Sequence, residues 1–356
     1  MNGCSRGVRV LACAAAAGLL AGCANGPRAA EPRPSSSVIG LTVDSSGATP
    51  SPGAPGAASP IRATLPDAAG VEVVAGAGGV WVAGPEELLR IDPATNHVVG
   101  KIDIGGLPTQ LGISQGAVWA TTFRQGAATL DQELVRVDPA SNGVTTRVPA
   151  GDVVQDLATA DTGVWMLTGG DLDRPAVKLI HVDPSTGKVA ATIPLKLSSL
   201  FVRVVAGPEG AFVMSGGTTP TLTHVRTDNR VGATIALPAP PSGGMVYASG
   251  AVWVVNRDKS SLTKVDAKAD RVVGTYPLPP LPAYTAEGGG RIWVTIDPTS
   301  VVPIDPATGA AGPVLTVDPV AAKDPNTEKR IKALTVAPDG LWLVTGVGAW
   351  RVNPGG

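Results

Sequence analysis

The feature that most constrains this chain is a sequence unit that recurs seven times between Val71 and Gly356. Each copy starts with a Gly-rich turn and an aromatic residue. The spacing between successive aromatics runs from 38 residues (Trp81 to Trp119) to 49 residues (Trp293 to Trp342). The aromatic residues are Trp81, Trp119, Trp165, Phe212, Trp253, Trp293 and Trp342. A repeat of this length predicts one small structural unit that packs against copies of itself.

A second apolar run follows each aromatic and ends at a turn. The runs read LLRIDP, LVRVDP, LIHVDP, LTHVRT, LTKVDA, VVPIDP and AWRVNP. An Asp at the start of a turn can accept backbone N–H bonds, and a Pro after it presets φ. Residues such as Asn142, Gly187 and Gly309 supply the positive φ that closes a hairpin. The period-two alternation on both sides of the turn therefore predicts a strand, a tight turn and a strand.

With the strand that precedes each aromatic, every copy carries about four short strands, which is typical of a propeller blade. The sequence thus predicts an all-β, seven-bladed β-propeller over residues 61–356. The seventh copy stops after its third strand, and Ile61–Pro66 resembles the fourth strands of other copies. We expect this N-terminal strand to complete the C-terminal blade and close the ring. A solenoid or two β-sandwiches is the alternative, which the even spacing disfavours.

These repeats resemble the YVTN-repeat and virginiamycin-B-lyase-like family of seven-bladed propellers, over Ile61–Gly356. The closest copy is Trp253–Asn256 followed by Leu262–Asp266. The resemblance implies the fold, and for the lyase itself a reaction that uses His and Glu residues with magnesium. The chain departs from that pattern, because none of its three histidines falls at the predicted start of an inner strand. They are His97, His181 and His224.

Residues 1–23 have the features of a bacterial lipoprotein signal peptide. Arg6 and Arg9 precede the apolar run Val10–Leu20, which is too short to span a bilayer permanently. The run ends in Leu20-Ala21-Gly22-Cys23, which resembles the bacterial lipobox. We expect a diacylglyceryl group on Cys23, whose two acyl chains suffice for stable membrane attachment. A secretory signal with a chance cysteine is the alternative.

Residues 24–60 are rich in Pro, Ala, Ser and Gly and lack apolar periodicity, so we expect a disordered tether. The remaining cysteines, Cys4 and Cys13, lie within the signal, so the mature chain would contain no internal disulfide. The predicted location is the cell membrane, lipid-anchored and facing outside the cytoplasm. The net charge of −1 gives no electrostatic case for nucleic acid. We expect a monomer, without a cofactor, whose partner is an envelope protein or a small ligand.

The start of the innermost strand of each blade is the predicted ligand face. Nine residues before each aromatic lies a column that is polar in most copies. It consists of Glu72, Gln110, Asp156, Arg203, Gly244, Tyr284 and Ala333, with Lys332 just before the last. This column is either a polar binding funnel or a solvated rim with an Asp156–Arg203 pair. It mixes signs and has no His, so it predicts neither a metal site nor a general-base pair.

Long loops on the same face supply further binding candidates, because variable loops on a rigid ring often carry specificity. The predicted loops span Thr121–Glu133 and Thr168–Lys178. The candidates are Phe123, Arg124, Asp173 and Arg174, with ordinary exposed loops as the alternative.

A second column lies two residues before the turn residue of each third strand. Its members are Arg90, Arg136, His181, His224, Lys264, Pro303 and Arg351. Six basic groups in register suggest an anion site. Their place on third strands favours another interpretation, in which long side chains cover apolar surface with their stems.

Together these patterns favour a binding or scaffold protein that holds a protein, peptide or small ligand at the funnel face. No catalytic residues are assigned on this hypothesis. The alternative is a lyase or hydrolase of the virginiamycin-B-lyase-like group that uses Glu72, Asp156 or Tyr284 as acid or base. A third possibility is a purely structural envelope subunit.

Overall fold

The computed structural model describes residues 61–124, 132–169, 176–197, 201–317 and 330–353. All of them belong to the second of two units into which the chain divides, Ala57–Gly356. They form seven four-stranded antiparallel sheets arranged as a β-propeller, which confirms the predicted all-β fold. The helical structure described is one 3₁₀ turn, Arg257–Lys259. In this part of the chain no helix is long and apolar enough to cross a membrane.

Each blade contributes one strand to each of four positions. The inner strands are β2 (Glu72–Gly76), β6 (Leu107–Ser114), β10 (Val154–Ala160), β14 (Val202–Gly207), β18 (Met245–Ala248), β22 (Thr285–Gly288) and β26 (Ala333–Ala337). The second strands are β3 (Gly79–Ala83), β7 (Ala117–Phe123), β11 (Gly163–Gly169), β15 (Gly210–Ser215), β19 (Ala251–Asn256), β23 (Arg291–Asp297) and β27 (Gly340–Thr345). The third strands are β4 (Leu88–Asp92), β8 (Gln132–Asp138), β12 (Val177–Val182), β16 (Thr221–Arg226), β20 (Ser261–Asp266), β24 (Ser300–Ile304) and β28 (Gly348–Val352). The fourth strands are β5 (His97–Ile102), β9 (Gly143–Pro149), β13 (Val189–Leu195), β17 (Val231–Ala236), β21 (Arg271–Pro277), β25 (Leu315–Thr316) and β1 (Ile61–Leu65).

The ring closes as the sequence predicts, because β1 is the fourth strand of the last blade. It pairs antiparallel with β28, from Ile61 opposite Val352 to Leu65 opposite Ala349. The inner strand β26 also packs against β2, so the first and last blades are neighbours. Closure removes the free edge that an open array of blades would present.

The core consists of separate apolar clusters, one between each pair of neighbouring blades. Trp81 packs with Leu111 and Val118 of the second blade, and around the ring Trp342 packs with Val80 and Val82 of the first. The corresponding aromatics of the other five blades occupy the equivalent clusters. The repeated aromatic is therefore the wedge that joins each blade to the next.

The Asp-containing turns between third and fourth strands form as predicted. Asp92 accepts the Ala94 N–H at 2.9 Å and the Thr95 hydroxyl at 3.0 Å, and Asp138 accepts the Ala140 N–H at 3.0 Å. These hydrogen bonds favour the carboxylate and lower the pKa of both Asp92 and Asp138. The turn closes at a residue with positive φ, such as Asn142 at 53°.

The basic column on the third strands forms contacts between blades. In five blades this side chain extends to the turn between third and fourth strands of the next blade. In four of these five it also lies over the aromatic of its own blade. Arg90 lies 5.1 Å from the Trp81 ring centroid and donates to the Pro139 carbonyl at 2.6 Å and the Asn142 side-chain oxygen at 2.9 Å. We call such a contact a clasp. The predicted covering of apolar surface is thus accompanied by a specific link.

The same clasp recurs around the ring. His181 stacks on Trp165 at 3.9 Å and donates to Asn229 at 2.7 Å. Four clasps run from Arg90 to Asn142, His181 to Asn229, His224 to Asp270, and Arg351 to Asn96. Lys264 forms a related link to the Pro306 carbonyl at 2.8 Å. These five basic groups are thereby paired with separate turns, which leaves them apart from one another and argues against a shared anion site.

The two faces of the ring therefore differ. The face that carries the Asp turns and the tight turns between inner and second strands is named the turn face. The opposite face, where the inner strands begin, is named the mouth face. Ile61, at the beginning of β1, lies on the turn face beside Val352.

Candidate functional site

The mouth face holds the polar column at the start of the inner strands. Glu72 is the first residue of β2, Asp156 lies in β10, and Arg203 is the second residue of β14. Gln110 lies in β6, in a blade between those of Glu72 and Asp156. The seven inner strands pack against one another in order around the central channel. Four consecutive blades thus present polar side chains at one side of the mouth.

Glu72 is a carboxyl of this cluster whose pKa is strongly raised. Burial raises its pKa from 4.5 to about 7, and the nearby Asp156 charge adds to the rise. The Val73 N–H, which donates to Glu72 Oε1 at 3.2 Å, and the Arg203 charge act in the opposite direction. The side chain keeps partial solvent contact and is enclosed by protein on most sides, as a group facing a narrow channel would be. Glu72 is therefore expected to gain or lose its proton near neutral pH.

Asp156 bridges two neighbouring inner strands. Its Oδ1 accepts the N–H of Leu157 at 3.0 Å, and its Oδ2 accepts the N–H of Val204, on the next blade, at 2.9 Å. Burial still raises the pKa of Asp156 despite these bonds and the Arg203 charge. A bulge in β10 between Val154 and Asp156 aims the side chain out of the regular pleat. Asp156 thus has a structural role, and its half-buried carboxyl is costly to ionise.

Arg203 supplies the positive charge of the cluster. It donates to the Val202 carbonyl at 3.0 Å and lies 5.2 Å from the Phe201 ring centroid. Its charge acts on both Glu72 and Asp156. In the described part of the chain, however, Asp156 and Arg203 form no direct ion pair, so the rim pair considered from the sequence is not present.

Gln110 joins the cluster through the backbone. Its side-chain amide donates to the Gln155 carbonyl at 3.1 Å, next to Asp156, and its own oxygen accepts the Thr121 hydroxyl at 3.0 Å. The Gln110 N–H donates to the same Thr121 hydroxyl oxygen at 3.0 Å. Gln110 is therefore held in place. It lies where strand β6 has a bulge, between Pro108 and Leu111.

The contribution of Thr121 was not foreseen from the sequence. Thr121 stands two residues after its aromatic, and Thr295 stands at the same place after Trp293. Thr295 accepts the N–H of Tyr284 at 2.8 Å, just as Thr121 accepts that of Gln110. Both threonines are buried where the other copies carry apolar residues. That polar exception in an apolar column is the signal that would have identified them.

Tyr284 and Lys332 are both on the mouth face, each directly before its inner strand. Tyr284 is 45% exposed, and within the described ranges no side-chain hydrogen bond or ion pair joins it to the Glu72 cluster. The Lys332 backbone N–H donates to the Val344 carbonyl at 2.8 Å. The structure thus brings together four of the predicted residues and leaves Tyr284 at a separate position on the rim.

Phe123 and Arg124 lie at the end of β7, also on the mouth face. Arg124 donates to the Gly105 carbonyl at 2.9 Å and forms an ion pair with Glu133 at 3.1 Å. Glu133 also pairs with Arg147 at 3.0 Å. Arg124 is therefore part of an exposed charged network whose acidic member the sequence did not single out. Asp173, Arg174 and Cys23 lie outside the described residues.

The chemistry open to this cluster is hydrogen bonding and charge pairing. Two enclosed carboxyls face one guanidinium, and the amide of Gln110 completes the polar edge. Among the residues that the structure describes, no group of three or more His, Cys, Asp or Glu side chains is placed to hold a metal ion. The carboxyl oxygens of Glu72 and Asp156 can accept hydrogen bonds from a cationic or N–H-rich ligand group, beside Arg203 of the fourth blade.

No protein-family model matches the chain, and no curated protein matches it. The fold, a seven-bladed β-propeller, is thus established by the structure itself, while the resemblance to YVTN-repeat propellers stays an expectation from the sequence. Because propellers host many unrelated functions, function must be argued from the mouth-face cluster.

Proposed function

We propose that this protein is a binding or scaffold propeller that holds its ligand at the mouth-face cluster of Glu72, Gln110, Asp156 and Arg203. The observation that carries the proposal is the enclosed pair of carboxyls on a closed, rigid ring. Perturbed ionisable groups in a concave site are more frequent at functional sites than elsewhere. A partner could be a small ligand, a peptide or a protein surface.

The chemistry of the cluster indicates what such a ligand should offer. Burial disfavours the ionised forms of Glu72 and Asp156, as the direction of both pKa shifts indicates. A ligand that brings a positive charge or N–H donors would stabilise those ionised forms. Binding should then lower the pKa of Glu72 and release a proton near pH 7.

The proposed location is the outer side of the cell membrane, with the chain attached as a monomer through lipid on Cys23. The lipobox-like Leu20–Cys23 and the Pro-rich stretch 24–60 support this proposal. Cys23→Ser should release the protein from the membrane fraction, as measured by fractionation and by the loss of lipid mass from the N-terminal peptide. Retention in the membrane with unchanged mass would contradict the anchor.

The binding proposal is tested by cross-linking in intact cells. Full-length wild type is compared with Glu72→Gln, Asp156→Asn and Arg203→Ala, and captured molecules are quantified by mass spectrometry. The matched control is Glu287→Gln, which removes an exposed carboxyl on the turn face. Partners lost in the mouth-face variants and kept in the control support the proposal. An unchanged set of captured molecules in all variants would refute it.

A lyase or hydrolase remains the second candidate, favoured by one observation. A pKa of about 7 lets Glu72 act as a general acid or base at neutral pH. Turnover on a panel of lactone and ester substrates, with a pH–rate profile that changes in Glu72→Gln, would support this activity. Absence of turnover across the panel would count against it.

A further inference from the structure

In the sixth blade the clasp is absent and a cavity lies beside the aromatic. In every blade the aromatic of the second strand lies directly opposite the same third-strand position, for example Trp81 opposite Arg90 and Trp253 opposite Lys264. In the sixth blade Trp293 lies opposite Pro303. A proline has no long stem or cationic head, so it can neither cover the indole nor extend to the next blade.

The consequence is visible in the burial of the aromatics. Trp293 keeps 6% of its surface exposed, whereas the six other aromatics are at 0%. A cavity of about 270 Å³ lies beside it, between the sixth and seventh blades on the turn face. The cavity is lined by Trp293, Val336, Pro338, Asp339 and Asn353, with several glycines and Ala337.

The remaining blades show which chemistry suits this position. The Arg90 guanidinium lies 5.1 Å from the Trp81 ring centroid, and the Lys264 ammonium lies 4.8 Å from that of Trp253. Indole is the aromatic that attracts a cation best, by about 0.5 to 2 kcal/mol depending on solvation. An arginine or lysine head group thus occupies the equivalent place in the first and fifth blades.

The lining of the cavity adds two further features. Asp339 contributes a carboxylate, whose Oδ2 lies 3.0 Å from Arg351 Nε, an ion pair not aligned as a hydrogen bond. The Nε1 donor of Trp293 is buried and has no hydrogen-bond partner among the described residues, as is also true of Trp119 and Trp165. A ligand with an acceptor oxygen near its cationic group would satisfy this donor.

We propose that the cavity beside Trp293 is a binding site for a guanidinium or ammonium group supplied from outside the chain. The ligand takes the place that Arg90 or Lys264 fills in other blades, with its cation over the indole and a carbonyl oxygen near Trp293 Nε1. The volume is below that of drug-sized sites, so the site suits one basic side chain or a small cationic molecule. It is separate from the mouth-face cluster and does not depend on the function proposed there.

The test uses the full-length protein and N-acetyl-arginine amide as the probe. Binding is followed by saturation-transfer NMR and by the rise in melting temperature. N-acetyl-citrulline amide, which has nearly the same shape without the charge, is the probe control. We expect saturable binding of the arginine probe in the millimolar range and at least about tenfold weaker binding of citrulline, which corresponds to about 1.4 kcal/mol. No saturable binding of the arginine probe, or equal binding of both probes, would overturn the proposal.

Substitutions of Pro303 by larger side chains, which should fill the cavity, are the decisive variants. Pro303→Arg should place the missing clasp over Trp293 and abolish probe binding, and Pro303→Met should do so by volume alone. The matched control is Val314→Arg, which adds the same charge at an exposed position of the same blade and should bind as wild type does. Unchanged binding in a folded Pro303 variant would refute the site. A peptide probe, acetyl-Gly-Arg-Gly-amide, separates the two sources, because tighter binding of the peptide indicates a basic chain segment and equal binding indicates a small cation.

Discussion

Glu72 is a carboxyl whose pKa is set by its position inside the folded ring. Its carboxyl faces Asp156 and Arg203 from other blades, and burial outweighs the arginine in setting its pKa at about 7. In the unfolded chain a glutamate titrates near 4.3. Between these two values the folded protein holds a proton that the unfolded chain has lost. Stability must therefore decrease as the pH rises through this range.

We predict that Glu72→Gln flattens this pH dependence. Raising the pH from 5 to 8 should lower the free energy of unfolding of the wild type by up to roughly 3 kcal/mol through Glu72 alone. The variant should lose less, and Asp156, whose pKa is also raised, should account for part of what remains. Urea denaturation at both pH values measures the difference. Glu287→Gln is the control, and equal losses in wild type and Glu72→Gln would show that Glu72 titrates normally.

At the scale of the element, the clasps depend on matched volumes between blades. Arg90 lies opposite Gly100 on β5, and the absent side chain leaves room for Asn142 of the next blade. Arg136 lies opposite Thr146 instead, and the next blade carries Gly187 at the turn position. A Cβ at residue 187 would lie 2.7 Å from Thr146 Cγ2. Accordingly Arg136 bonds Thr145 in its own blade, and its Nε is buried without a partner among the described residues.

This arrangement predicts a strongly non-additive pair of substitutions. Gly187→Asn alone should destabilise the protein by about 1 to 2 kcal/mol, because the new side chain meets Thr146. Thr146→Ala alone should change stability little. The double variant should recover at least about 1 kcal/mol relative to Gly187→Asn, because the asparagine can then accept from Arg136. Urea unfolding of all four proteins completes the cycle, and a coupling energy near zero would show that the matched volumes are incidental.

For the whole molecule, the ring is one cooperative unit only if its last joint is closed. That joint is β1, and Leu65 of this strand is 3% exposed in the cluster that joins the last blade to the first. Arg351 adds a clasp across the same joint, donating to the Pro93 carbonyl at 3.0 Å and to Asn96 at 3.1 Å. Arg351 and Asn96 are 255 residues apart in the sequence, so the closing contacts are among the least local in the fold.

A chain that starts at Asp67 should therefore lose most of its stability, whereas a chain that starts at Ala57 should match the full-length protein. Loss of β1 exposes the edge of β28 and uncovers the cluster around Leu65. We expect a fall in melting temperature of at least about 10 °C for the shorter chain, which corresponds to about 6 kcal/mol for a domain of this size. Differential scanning calorimetry of the three chains measures it. Equal melting temperatures would mean that the joint contributes nothing.

The sequence was sufficient for the fold because every blade repeats the same local signals. The Gly-aromatic turn and the Asp-containing turn each fix a hairpin, and the orphan strand at Ile61 identifies the joint. The column of Glu72, Asp156 and Arg203 could also be predicted, since each of them lies nine residues before the aromatic of its blade. The clasp from Arg90 to Asn142 was not, because it depends on which turn lies beside which strand across two blades. The burial that raises the Glu72 pKa arises only in the closed ring, so the local sequence could not predict it.

The direction of β1 has a mechanical consequence. A pull that arrives through the residues before Ile61 enters on the turn face and runs along the strand towards the mouth face. If a partner holds the mouth, the load is parallel to β1 and β28, and the hydrogen bonds from Ile61 to Leu65 are sheared together instead of being unzipped one at a time. The joint that closes the ring is thus oriented to resist tension between the proposed membrane anchor and a partner held at the mouth face. In single-molecule pulling, rupture should be governed by the unfolding rate of this joint.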